Sequence, residues 1–127
     1  MKLRIKGNTL RLRLSKSEIA KIGSEGYVED AIGFAGNARL NYAMQVSDAP
    51  SLSASLENCA ITVHLPKALA ITWVETEQVG FEIHQPLDNG ESLYILVEKD
   101  FQCLTTRPNE DESDNYAHPP VEAGHKC

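Results

Sequence analysis

Residues 53–65 read SASLENCAITVHL, and residues 2–14 read KLRIKGNTLRLRL. Few letters agree, yet both stretches alternate apolar and polar residues on either side of a short turn, the signature of a half-buried β-hairpin. Gly7-Asn8 and Glu57-Asn58 are turn-compatible pairs, and they place strands over 2–6, 9–14, 52–56 and 59–65. Each hairpin then meets a helix start. In the first, Ser15-Lys16-Ser17-Glu18 has the spacing of a capping box. In the second, Pro66 stands at the first helical position, where its missing N–H costs nothing. Ile19 with Ile22, and Leu69 with Trp73, give each short helix one apolar stripe.

Working outward, a shift of 51 residues aligns the apolar positions without a gap. Leu10, Leu12 and Leu14 fall on Ile61, Val63 and Leu65; Ile22 falls on Trp73. Val28 and Ile32 fall on Val79 and Ile83, and Met44 and Val46 fall on Ile95 and Val97. Two further strands close each unit, at about 26–34 and 39–46, then 78–84 and 92–99. The chain therefore reads as a duplicated domain over 1–104, with repeat one at 1–46 and repeat two at 52–97, followed by an acidic tail or strap at 105–127. A unit of about 45 residues has too little core to stand alone, so the two copies are expected to bury each other's apolar faces.

The second copy, ITVHLPKALAITWVETEQVGFEIHQPLDNGESLYILV at 61–97, resembles the swapped-hairpin unit of AbrB-type transition regulators and MazE-type antitoxins. Val63, Leu65, Pro66, Leu69, Val79, Phe81, Leu93, Ile95 and Val97 occupy the matching core positions. The resemblance implies a mainly β fold with short α-helices, a single small barrel made from two β-hairpin/α/β-hairpin repeats, and a cradle-loop-like pseudo-dimer within one chain. In that family basic residues on one surface bind DNA. The family's strand arginine matches Arg11 in the first copy and Thr62 in the second, and its helix arginines fall on Ile19-Ala20 and Ala70-Ile71. The whole chain also resembles a family of short uncharacterised bacterial proteins that open like KLRIKGN-x-LRLRL and close like LVEKDF-x-CL before acidic residues, which implies no activity.

The net charge of −6 is unevenly spread. Seven of the twelve Lys and Arg residues lie in the first 21 positions beside the single acid Glu18, and the rest of the chain carries five basic against seventeen acidic residues. Such asymmetry marks a basic surface for a polyanion, or a basic strand pair neutralised from elsewhere in the chain. Arg4, Arg11, Arg13, Lys16 and Lys21 are the expected binding face, and Glu110, Asp111, Glu112 and Asp114 of the tail are the expected internal contacts to it. The function this supports is a non-enzymatic interaction module whose partner is a protein or the chain's own tail. The alternative is a DNA-binding transcription regulator or antitoxin-like protein with nucleic acid as partner. A more distant one is a small metal-binding protein or enzyme using Cys103, His118, His125 and Cys127, which supply enough donors for a tetrahedral site but lack a CxxC or HxxxH pair.

No nucleophile elbow, phosphate loop or metal triad is present, so neither an enzyme nor a cofactor is expected. His64 and His84 fall on the polar sides of their strands, His64 in the position of Arg13. Three widely spaced cysteines without a CxxC point to a reducing compartment. No apolar leader segment and no run near the roughly 18 apolar residues of a membrane span is present, so the expectation is a cytoplasmic protein with no membrane partner.

Overall fold

The hairpins and helices resolve into β1 (Lys2–Lys6), β2 (Thr9–Leu14), α1 (Lys16–Glu25), β3 (Tyr27–Gly33), β4 (Arg39–Ser47), β5 (Ser53–Glu57), β6 (Ala60–Pro66), α2 (Lys67–Glu75), β7 (Gly80–Pro86) and β8 (Ser92–Lys99). These come from a computed structural model that describes residues 1–101 and 113–117. The strands form two four-stranded mixed sheets, ordered β1-β2-β8-β7 and β3-β4-β6-β5. Each sheet takes one hairpin from each half of the chain, and the halves meet in a parallel pair, β2 with β8 and β4 with β6. Leu12, Leu14, Met44, Val63, Leu65, Trp73, Ile95 and Val97 are fully buried between the sheets and helices. No described helix is long and apolar enough to cross a membrane.

The expected AbrB/MazE-like barrel is corrected by this topology. No ladder joins the edges β1 and β7 of one sheet to the edges β3 and β5 of the other, so neither sheet closes. One seam shows the physical reason. The Ala54 N–H of β5 donates to Gln85 Oε1 of β7 at 2.8 Å, and Gln85 Nε2 reaches the Ala54 carbonyl at 3.4 Å. A carboxamide standing between two edge strands satisfies the backbone groups that a closing ladder would have used, and it holds the backbones a side chain apart.

The duplication is visible in the registers, with one correction. Lys2 opposite Arg13 in the first hairpin corresponds to Ser53 opposite His64, each 51 positions on. In the second hairpins, Tyr27 opposite Gln45 corresponds to Gly80 opposite Glu98, each 53 positions on. With those two offsets the parallel pairs agree as well: Leu12 beside Val97 answers to Val63 beside Met44. Val28 therefore matches Phe81 rather than Val79, and Met44 matches Val97 rather than Ile95. The two additional residues lie between α2 and β7, where four residues replace the single Gly26 that joins α1 to β3. A slip of two leaves every side chain on its own face, so the gapless alignment stayed in phase. The second turn is also one residue later than expected, at Asn58 and Cys59, whose φ values of 51° and 60° suit a two-residue hairpin turn. Pro66 ends β6 and precedes α2 instead of opening it.

The helices pack on one another at equivalent positions. A Cβ on Gly23 of α1 would stand 2.9 Å from Val74 Cγ1 of α2, and Val74 is the counterpart of Gly23. Residues on a twofold axis meet their own copies, so this contact marks the quasi-symmetry axis, and only one of the pair can carry bulk. Gly23→Val is expected to destabilise the protein by about 1–3 kcal/mol through overpacking. Adding Val74→Gly should recover most of the loss, read by urea denaturation; an unaffected single variant would contradict the packing.

The longer connection after α2 exposes the helix end, and Lys99 answers it. Its N–H donates to the Val79 carbonyl at 2.9 Å, as that of its counterpart Val46 does to Gly26 at 2.8 Å. Its Nζ also donates to the Thr76 carbonyl at 2.8 Å, placing a cation at the C-terminus of α2. Burial holds the Lys99 amine below its ordinary pKa.

Candidate basic interaction face

In an antiparallel pair the side chains of directly opposed residues share a face. Lys2 opposes Arg13, Arg4 opposes Arg11 and Lys6 opposes Thr9, so all five cations of β1 and β2 stand on the outer side of their sheet. The parallel pairing extends these rows across β8 and β7. Arg13 meets Glu98; Arg11 meets Leu96 and then Glu82; Thr9 meets Tyr94 and then His84. The equivalent positions of the other sheet are Ser53, Ser55, Glu57, Thr62 and His64. Two sheets of one design thus differ in charge: one outer face is cationic at its edge, and the other carries two serines, a threonine, a histidine and a glutamate at the same positions.

Ion pairs divide the cations into two groups. Arg11 Nε donates to Glu98 Oε1 at 2.7 Å, and its terminal nitrogen pairs with the same oxygen. Arg13 Nε lies 3.5 Å from Glu98 and 3.6 Å from Asp100, without a hydrogen bond to either. Lys2 Nζ lies 3.0 Å from the buried Asp100 carboxylate. Arg4 and Lys6 have no carboxylate partner among the described residues, and both are exposed. They border a shallow depression of about 200 Å³ with Thr9, Arg11, Tyr94 and Leu96. Tyr94 donates its hydroxyl to Glu82, which raises the phenol pKa, and His84 packs its ring on Tyr94 at 4.9 Å. His64 shares a hydrogen bond of 3.0 Å with Ser55 on the other sheet.

Lys16 and Lys21 belong to α1, whose first turn borders the strand face: Ser15 and Ser17 share a depression with Lys2, Arg13, Asp100 and Asp114. Beside Lys16 lies the described part of the tail. The Lys16 N–H donates to the Asp114 carbonyl at 2.9 Å, and the Asp114 carboxylate accepts from the Ser17 N–H at 3.2 Å and from the Ser17 hydroxyl at 2.5 Å. Tyr116 packs on Phe101 at 5.6 Å, and its N–H donates to the Asp100 carbonyl at 2.7 Å. Asp114 therefore sits at the first turn of α1, where unpaired N–H groups and the helix dipole favour an anion. Glu110, Asp111, Glu112, Cys103, His118, His125 and Cys127 lie outside the described residues. Among the described residues no group of three or more His, Cys, Asp or Glu side chains could hold a metal ion.

The Ser17 hydroxyl, then the Ser15 hydroxyl, the Ser17 N–H and the Lys16 charge hold the Asp114 carboxyl below its ordinary 3.8. A depressed carboxylate stabilises its bound state fully above the ordinary value and loses that contribution as pH falls through the lower bound-state value. Docking of residues 113–117 on α1 should accordingly persist at neutral pH and weaken only in the acid range below about 3.8. Amide NMR shifts of Lys16 and Ser17 should report this titration in the wild type and lose it in Asp114→Asn. A shift change centred near neutrality would contradict it.

Alternation alone places Lys2, Arg4, Lys6, Arg11 and Arg13 on one face, as the register has them, although the expected binding set leaves Lys6 out. Tyr94 and Leu96 carry no local signal that joins them to it. Glu98 and Asp100 as neutralising partners were not legible either, because they reach the face through a parallel register between strands more than eighty positions apart.

Fold and face together define a two-sheet, mainly β protein with an internal repeat and one cationic outer edge. The chain belongs to the family described as Family of unknown function (DUF7009), whose model matches residues 1–120. No curated protein and no solved structure matches it.

Proposed function

We propose that this protein is a non-enzymatic interaction module whose working surface is the outer face of β1 and β2, centred on Arg4 and Lys6 with Arg11 beside them, and whose partner is an acidic segment of another protein. One observation carries the reading: internal carboxylates neutralise Lys2, Arg11 and Arg13, while Arg4 and Lys6 remain without such a partner among the described residues. A fold that merely needed a wet face could use the serine and glutamate found at the equivalent positions of β5. Exposed, unpaired cations at the margin of an acidic chain steer anionic partners and select against wrong ones.

The test replaces each cation by its counterpart in the other copy, Arg4→Ser together with Lys6→Glu. Fluorescence anisotropy with a labelled glutamate-rich peptide should show binding to the wild type that weakens with added salt and is lost in the double variant. Equal binding by both proteins, or none by the wild type at low salt, overturns the reading. Preferential binding of duplex DNA through Arg4 and Lys6 overturns the choice of partner.

A further inference from the structure

We infer that the acidic segment bound at the basic face carries an aromatic anchor: one phenylalanine-like side chain enters the depression over Thr9 while neighbouring carboxylates meet Arg4 and Lys6. This rests on the reading of the basic face and adds to it what selects the partner.

The depression comes from one short side chain among long ones. Thr9 lies between Lys6 of β1 and Tyr94 of β8 in one lateral row, and the next row holds Arg4, Arg11 and Leu96. The ring of Tyr94 leans away from Thr9, because its hydroxyl donates to Glu82 of β7 and its ring packs on His84, also of β7, at 4.9 Å. That leaves about 200 Å³ open above Thr9. A benzene ring fits a cavity of roughly 150 Å³, so one aromatic side chain fills the space. The rim is held before anything binds. Asn8, in the turn after Lys6, donates its side-chain amide to the Ser92 carbonyl at 2.6 Å, and its own carbonyl accepts from the Tyr94 N–H at 3.1 Å. Walls fixed in advance reduce the ordering cost of binding.

The two flanks of the depression differ in chemistry, and that difference selects the ligand. Tyr94 and Leu96 are half-buried on the outer side of β8, where the other sheet has Asn41 and Ala43. The apolar wall, like the free cations, therefore belongs to one copy only. An aromatic anchor in such a pocket supplies affinity, and the charges beside it supply orientation. Arg4 and Lys6 stand two positions apart on β1, so an extended segment whose acids are two residues apart reaches both. Beyond the apolar wall stand Glu82 and Glu98. Carboxylates are thus accommodated on one side of the anchor alone. A nucleic acid is disfavoured as occupant, because its backbone needs a cationic track past the stacked base and meets these two acids instead.

The test uses the whole protein and two glutamate-rich peptides of equal charge, one with a single phenylalanine beside the acids and one with alanine in its place. Fluorescence anisotropy should show the phenylalanine peptide binding the wild type about tenfold more tightly, the effect of burying part of an aromatic side chain. Thr9→Phe fills the depression from within, and Leu96→Ala strips its wall. Both variants keep every cation, and both should bring the phenylalanine peptide down to the affinity of the alanine one. Circular dichroism checks each fold; where one variant is unfolded, the other decides together with the two peptides on the wild type. Should the peptides bind the wild type alike, and lose binding only in the Arg4→Ser, Lys6→Glu variant, the anchor is wrong and the basic face stands. Should neither bind, both fall. A preference for phenylalanine that survives in folded Thr9→Phe and Leu96→Ala overturns the depression as its site. Single-stranded DNA that binds more tightly than either peptide, and is lost in Thr9→Phe, would assign the depression to a base and overturn the acidic segment.

Discussion

Trp73→Ala is expected to lower the free energy of unfolding by about 3–5 kcal/mol, the usual cost of emptying a buried aromatic site. Trp73 is fully buried on α2 and meets the ring of Phe81 edge to face at 6.1 Å. Its indole N–H donates to the Val79 carbonyl at 2.9 Å, so the side chain also pins the connection into β7. Its counterpart on α1 is Ile22, a smaller residue that is 2% exposed. The bulk at the axis is thus shared unequally, and no neighbour is large enough to refill the gap. For a domain with a stability of roughly 5–15 kcal/mol, such a loss leaves a marginal protein. Thermal and urea denaturation followed by far-ultraviolet circular dichroism should show it. Trp73→Phe, which keeps the ring contact but not the hydrogen bond, should lose less. A Trp73→Ala variant as stable as the wild type would mean that this helix does not close the core.

Gly80→Ala should be almost as damaging, on the order of 3 kcal/mol, although it adds only a methyl group. A Cβ there would stand 2.0 Å from the Val97 carbonyl oxygen and 2.8 Å from Glu98 Cα. Both are backbone atoms of β8, which no rotamer change can move aside. The Val79 carbonyl just before it is held by Trp73 and by the Lys99 N–H, so β7 cannot back away. Tyr27, the counterpart in the first copy, carries a full side chain at the same register. The close approach therefore belongs to the longer connection of the second copy, and Tyr27→Ala should cost far less than Gly80→Ala under the same denaturation assay. The reverse order would contradict the register.

These two residues also show where sequence reading stopped. Hairpins, helices and the repeat are local or periodic signals: alternation in KLRIKGNTLRLRL, the Glu18 side chain reaching back to the Ser15 N–H at 2.9 Å, and Ile19 with Ile22 on one stripe. The change of offset from 51 to 53 left no trace, because an even slip preserves the inward and outward phase that the eye follows. Barrel against paired sheets was decided by what stands at the seams, a carboxamide at Gln85 and an isoleucine at Ile32, and neither residue announces that role. At the site, alternation placed the cations together. Which of them stay free depended on Glu98 and Asp100 arriving beside β2, a long-range parallel pairing that no local pattern encodes.

The most direct measurement is an amide NMR titration of the whole protein with the glutamate-rich peptide. Shift changes should concentrate on Leu3 to Lys6, Thr9, Arg11, Tyr94 and Leu96, leaving the counterparts Ala54 to Glu57, Ala60, Thr62, Asn41 and Ala43 unmoved. Equal changes on both sheets, or changes confined to the second, would contradict the assignment of the working face.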